Sequence, residues 1–265
     1  MCIVVCKPKN IKLPAKETLE ICFRRNPDGA GYMFAKDGMV HIKKGYMTFE
    51  KFYKALMKDY DQSLSFVLHF RIGTMGGNVP ELTHPYPMSR SMDELRKTTT
   101  TCKLGVAHNG IIALTSSYGY DHTYVAPNYN DTMKFITDYM SIIIKNSMFY
   151  KDDEKIELIE RLVGSSNKFA ILDGDGRITT IGNFIEEDCI KYSNATYEGY
   201  TRTQGNYWEK MFDLYDNAWD AETETYKFDH NACPLSEMGE TCFCDMCDGY
   251  LNKTCPYWEY DICEK

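Results

Sequence analysis

The chain has 265 residues, of which 43% are hydrophobic and 26% charged. That is the composition of an ordinary globular protein, long enough to bury a sizeable core as one large domain or one domain plus an appendage. A net charge of −8 argues against a broad electrostatic grip on nucleic acid or anionic lipid. No apolar run reaches the length of a membrane span and no signal peptide is apparent, so the expected compartment is the cytoplasm, with no membrane partner.

In chain order, Ile3 to Cys6 reads as a buried strand directly behind Cys2. Lys16 to Arg25 reads as a short helix with Leu19, Cys22 and Phe23 on one face. Gly29 to Lys36 and Met39 to Lys44 read as a hairpin turning at Asp37-Gly38. Thr48 is placed to cap a helix running to Asp59, and Ser63 to Arg71 reads as a strand. Residues 72–102 are rich in Gly, Pro, Ser and Thr and read as a long loop, a length usually reserved for function. Leu104 to Ala107 and Ile111 to Leu114 read as short strands flanking His108-Asn109-Gly110. Asn130 to Lys145 and Asp152 to Val163 read as helices. Lys168 to Leu172 and Arg177 to Ile181 form a second predicted hairpin. Tyr207 to Asp220 reads as an amphipathic helix before a cysteine-rich tail. Strands and helices in this order suggest a layered α/β or α+β domain.

Five features carry chemistry. Removal of Met1, which a small second residue permits, leaves Cys2 with a free amine beside its thiol. A thiolate is the nucleophile, and an α-amino group of pKa ~8 can serve as its base. His69-Phe70-Arg71-Ile72-Gly73-Thr74 ends a strand in an arginine suited to bidentate carboxylate binding. Thr83-His84-Pro85 holds a histidine extended. His108-Asn109-Gly110 is a strong hairpin signal; equally, its side-chain amide and backbone N–H can converge as an oxyanion hole. Asn130-Asp131-Thr132 is a helix start whose carboxylate can also meet an ammonium.

Taken with Asn26-Pro27-Asp28-Gly29-Ala30-Gly31-Tyr32 and the later stretches Phe169 to Asp173, Gly182-Asn183-Phe184 and Tyr192-Ser193-Asn194, this ordered set resembles the class II glutamine amidotransferases. These are N-terminal-nucleophile hydrolases, and the likeness is greatest to their stand-alone bacteriophage members. The resemblance implies an α+β, four-layer αββα sandwich over residues 2–204. It implies that Cys2 attacks the glutamine side-chain amide while Asn109 and Gly110 stabilise the oxyanion. It further implies that Arg71 binds the α-carboxylate, that Thr74 and His84 line the substrate site, and that Asp131 binds the α-ammonium. Glutamine hydrolysis needs no cofactor, and the ammonia would pass to a separate ATP-dependent ligase or synthase. The chain departs from many relatives at Met75 and Leu82-Thr83, which leaves another amide open as substrate. A non-catalytic binding or regulatory protein of the same fold is the rival of a different class.

Of the eleven cysteines, six fall in the tail between Cys233 and Cys263. In a reducing compartment such clustering suggests metal before disulfides. Cys244 and Cys247 have C-x-x-C spacing, and Cys233, Cys242 and Cys255 are candidate further ligands of a structural zinc in residues 205–265, with His230 and Cys263 nearby. Free thiols and a late disulfide are the alternatives.

Overall fold

A computed structural model describes residues 2–73, 77–115, 128–144 and 152–198, with two short strands in the tail. The chain divides into two units, Met1–Glu198 and Gly199–Lys265.

The first unit runs β1 (Ile3–Lys7), α1 (Lys16–Arg25), β2 (Ala30–Lys36), β3 (Met39–Tyr46), α2 (Phe49–Asp59) and β4 (Phe66–Phe70). It continues through β5 (Tyr86–Pro87), α3 (Met92–Arg96), β6 (Thr99–Cys102) and β7 (Leu104–Asn109). Then come α4 (Asp131–Phe135), a π-helical turn Ile136–Met140, α5 (Ser141–Ile143) and α6 (Asp153–Val163). Strands β8 (Lys168–Asp173), β9 (Ile178–Ile181), β10 (Ile185–Glu187) and β11 (Ile190–Tyr192) complete it.

The strands form two antiparallel sheets, ordered β10-β11-β1-β4-β2-β3-β6 and β5-β7-β8-β9. Side chains alternate across a strand, so β1, β2 and β4 of the larger sheet each serve two cores. Ile3 and Val5 of β1, Tyr32 and Phe34 of β2, and Phe66, Leu68 and Phe70 of β4 join one core with α1 and α2. Leu19, Cys22 and Phe23 of α1 and Phe49, Phe52 and Leu56 of α2 are its helical share. The opposite faces supply Val4, Met33, Val40, Ile42 and Val67, which meet Ala107, Ala170 and Leu172 of the smaller sheet. Small residues let the two sheets approach. A Cβ on Gly105 would stand 2.5 Å from the Met33 sulfur. The outer face of the smaller sheet, with Val106, Phe169 and Ile171, packs on Met133, Phe135 and Ile136 beside Ile159 of α6. The protein is therefore mixed α and β with antiparallel sheets, as the sequence suggests.

Local differences have local causes. Helix α1 and the hairpin fall where expected, with Asp37 and Gly38 at φ 53° and 71°. Thr48 occupies the cap position of α2, yet its side chain makes no capping bond. The expected loop 72–102 holds α3 and two short strands, pinned from outside by Lys44, whose Nζ donates to the Glu81 and Leu95 carbonyls at 2.9 and 2.7 Å. The expected strand 111–114 is a turn, because Gly110 diverts the chain at φ 145° and the Asp131 carboxylate accepts from the Ile112 N–H at 2.8 Å.

Within the second unit, β12 (Trp219–Asp220) pairs antiparallel with β13 (Thr225–Tyr226). The last two residues of the helix expected over 207–220 are therefore strand. The rest of that expectation lies outside the described residues.

Candidate active site

Antiparallel pairing sets Ile3 of β1 opposite Phe70 of β4. The register carries Cys2 to the segment just past β4, where its Sγ lies 3.3 Å from the Ile72 nitrogen and 3.4 Å from the Ile72 oxygen. The backbone N–H thus donates to the sulfur, and the thiol can donate to the carbonyl. Burial pushes the Cys2 thiol above its ordinary value; the Ile72 hydrogen bond and the positive charge of Arg71 oppose that rise. On its other side, Cys2 is held by Asn194, whose Nδ2 donates to the Cys2 carbonyl at 2.7 Å.

Arg71 is buried at 3% exposure. Its backbone is zipped to the turn before β2: Arg71 N–H donates to Gly29 O at 2.8 Å, and Asp28 N–H donates to Arg71 O at 3.0 Å. The Asp28 carboxylate accepts from the Gly73 N–H and from Asn78 Nδ2, both at 2.7 Å. Asn78 Oδ1 in turn accepts from Arg71 Nη1 at 3.2 Å. Asp28 and Asn78 thus orient the guanidinium and the loop that follows it. Thr74 lies outside the described residues.

Asn109 ends β7 and is buried. Its Nδ2 donates to Ser193 Oγ at 2.9 Å, and the same oxygen accepts from the Val4 N–H at 2.9 Å. The Asn109 Oδ1 is buried with no partner among the described residues. Gly110 is obligatory, since a Cβ there would lie 2.3 Å from Asn167 Oδ1 at a φ that side chains rarely adopt. Asp131 Oδ1 accepts from the Thr132 N–H at 2.8 Å while Oδ2 takes Ile112, so both oxygens hold backbone. The helix cap is Asn130, whose side chain accepts from the Met133 N–H at 2.9 Å.

No protein-family model and no curated protein matches the chain. The site therefore rests on its own geometry.

Behind Arg71 stands a buried trio of imidazoles. His84 stacks on His69 with centroids 4.2 Å apart and sits edge-on to Tyr86 at 4.6 Å. His69 Nε2 donates to the His108 carbonyl at 2.9 Å. His108 Nε2 donates to Asn167 Oδ1 and its Nδ1 accepts from Thr132 Oγ1, both at 2.8 Å. Burial pushes all three below the ordinary range, His69 to about 3, so they are neutral at pH 7. Neither nitrogen of His84, nor His69 Nδ1, has a partner among the described residues. His84 is thus packed among rings rather than hydrogen-bonded to Cys2, Arg71 or Asn109.

The structure sets Cys2 against Ile72, the neighbour of Arg71, links the start of β1 to Asn109 through Ser193, and keeps Asp131 beside the turn that follows Gly110. Sequence reasoning gave no role to Asp28, Asn78, Ser193 or Asn194. Asp28 falls in the singled-out segment Asn26–Tyr32, Ser193 and Asn194 in Tyr192–Asn194, and Asn78 in the long segment 72–102. The tail residues Cys233, Cys242, Cys244, Cys247 and Cys255 lie outside the described residues. Among the described residues, no group of three His, Cys, Asp or Glu side chains is arranged for a metal, and no helix is long and apolar enough to cross a membrane.

Proposed function

We propose that residues 2–198 form an N-terminal-nucleophile amidohydrolase of the class II glutamine amidotransferase type, with the four-layer αββα arrangement that the sequence resemblance implies. The observation that carries the reading is the meeting of four distant segments at one strand end. Cys2 touches Ile72, and Ser193 and Asn194 tie the start of β1 to Asn109.

Cys2, with its own α-amino group free, would lose its thiol proton to that amine as Sγ bonds to the amide carbon of glutamine. Asn109 and the Gly110 N–H would hold the oxyanion. Collapse expels ammonia, which takes the proton from the amine, and leaves a glutamyl thioester on Cys2. Water then adds to the thioester carbonyl, releasing glutamate and restoring the thiol. Arg71 would bind the α-carboxylate, with Thr74 contributing to the walls, while His84, which the sequence resemblance also puts there, is packed among rings behind Arg71. No cofactor enters this half-reaction. The ammonia would serve a separate ATP-dependent ligase or synthase.

One observation favours a second reading, an amidase for another amide. Both oxygens of Asp131, the expected ammonium partner, already accept backbone N–H bonds. A hydrolysis panel of glutamine, asparagine and N-acylated glutamine separates the two.

The deciding experiment is covalent labelling. 6-Diazo-5-oxonorleucine should modify Cys2 and no other cysteine, with intact-mass analysis showing a native N-terminus beginning at Cys2. Cys2→Ala should lose both label and glutaminase activity, by at least about 10³-fold. Label retained in Cys2→Ala, or Met1 retained in active enzyme, overturns the assignment.

A further inference from the structure

We propose that Ser193 is a positioning residue that turns the Asn109 side-chain amide so that its Nδ2, not its Oδ1, faces the reacting group. The inference rests on the reading of Asn109 as oxyanion donor.

A serine hydroxyl has one proton to give and two lone pairs to accept with. As placed, Ser193 Oγ accepts twice, from the Val4 N–H and from Asn109 Nδ2, each at 2.9 Å. Its own proton has no acceptor among the described residues in that arrangement. At the other end of the same amide, Asn109 Oδ1 is buried without a partner among the described residues. Two unmet groups therefore stand at opposite ends of one side chain. A half-turn of the amide exchanges oxygen and nitrogen without displacing any other atom, and the two orientations are settled by hydrogen bonding rather than by shape. After the exchange, Oδ1 occupies the position 2.9 Å from Ser193 Oγ and accepts the hydroxyl proton. The Val4 bond is untouched. The unpartnered place then holds an NH₂ group, a donor awaiting an acceptor. A buried donor left unmet is costly, so an oxyanion arriving there is stabilised.

Ser193 is well placed to impose this choice. It is 1% exposed and follows β11 directly. Its own N–H donates to the Val4 carbonyl at 3.0 Å, so backbone and side chain are both fixed to β1. Its neighbour Asn194 holds the Cys2 carbonyl. One dipeptide thus sets the nucleophile's strand and the oxyanion donor relative to each other.

The test is a double-mutant cycle on glutamine hydrolysis. Ser193→Ala should lower kcat roughly three- to tenfold, the effect of one orienting hydrogen bond, with KM little changed. Ser193→Thr, which keeps the hydroxyl, should restore most of it. In an Asn109→Ala background, Ser193→Ala should have no further effect. An equal loss in both backgrounds would mean that Ser193 acts only by anchoring β1, and unchanged kcat in Ser193→Ala would remove the role outright. Should Ser193→Ala fail to fold, Ser193→Cys, a weaker donor of similar shape, must also lose kcat; full activity there overturns the proposal. Neutron diffraction of deuterium-exchanged wild-type crystals reads the orientation without any assay. Deuterium on Ser193 Oγ directed at Asn109 supports the proposal, and an Asn109 ND₂ directed at Ser193 refutes it. Failure of the glutaminase reading shows separately, as unlabelled Cys2 in wild-type protein.

Discussion

At the far end of β1, Lys7 is buried, and its Nζ donates to the Gln62 and Leu64 carbonyls at 2.7 and 2.6 Å. Beside it, Ser65 Oγ donates to the Gly176 carbonyl at 2.6 Å, joining the larger sheet to the turn after β8. That turn is closed by Asp173, whose Oδ1 accepts from the Asp175 and Arg177 N–H groups at 3.0 and 2.9 Å. At the near end stand Cys2, Arg71 and Asn109, with buried, unpartnered atoms on Asn109, His69 and His84. The two ends share strands but differ in how these polar groups are met: Lys7, Ser65 and Asp173 are hydrogen-bonded, and the buried atom left without a partner among the described residues at that end is His41 Nε2. Where polar groups are fully paired, removing one should cost stability. Where they are left open behind the proposed nucleophile, removing one should cost chemistry.

The sharpest test of that contrast is Asn109→Ala. It should lower kcat for glutamine by about 10²–10³, as loss of an oxyanion donor does, while thermal melting stays close to wild type. A normal kcat would break the comparison at its strongest point. Arg71→Ala should come next, raising KM about ten- to a hundredfold with kcat mostly kept, since a carboxylate contact is present in ground and transition states alike. Steady-state kinetics distinguish the two patterns. At the far end, Asp173→Ala should leave kcat and KM alone. It should cost ~2 kcal/mol in urea unfolding, the scale of hydrogen bonds lost from a charged acceptor.

The smallest effect near neutrality, and a growing one below it, comes from the imidazoles. Their folded pKa values are depressed, so the unfolded chain binds protons that the fold refuses. Stability is fully present above about pH 6.5 and falls as pH drops, by up to about 1.4 kcal/mol per pH unit for each histidine. For His69 the loss continues down to about 3. Urea midpoints between pH 7.5 and 5 should show it, and His84→Leu should flatten the slope. An unchanged slope in that variant would remove His84 from the account.

Much of this architecture is legible in the sequence where the signal is local. The apolar spacing of Leu19, Cys22 and Phe23 and the Asp37-Gly38 turn each set an element within a few residues. The segment 72–102 is not legible in the same way. Its short elements are held by Lys44, reaching from β3, and Thr83, whose Oγ1 accepts from the Gly45 N–H at 2.8 Å. Nothing in the segment itself announces those bonds. The site divides likewise. Cys2, Arg71 and Asn109 are readable from residue type and order. Asp28 and Ser193 are not, because each makes its hydrogen bonds with residues far along the chain, Ser193 with Val4 across 189 residues. The two oxygens of Asp131 show the reverse: a residue type suited to a ligand, already engaged by backbone.

The position of β1 also has a consequence for synthesis. One flank of this strand pairs with β4, made early, but the other pairs with β11, and Ser193 and Asn194 follow only then. At ~5–20 residues per second, the first strand waits roughly ten to forty seconds for its last neighbour. Any nascent chain halted before that point carries Cys2, Arg71 and Asn109 yet lacks the dipeptide that joins them. Under the proposed amidohydrolase reading, the chain is silent on the ribosome until β11, the last-made strand of the larger sheet, is delivered.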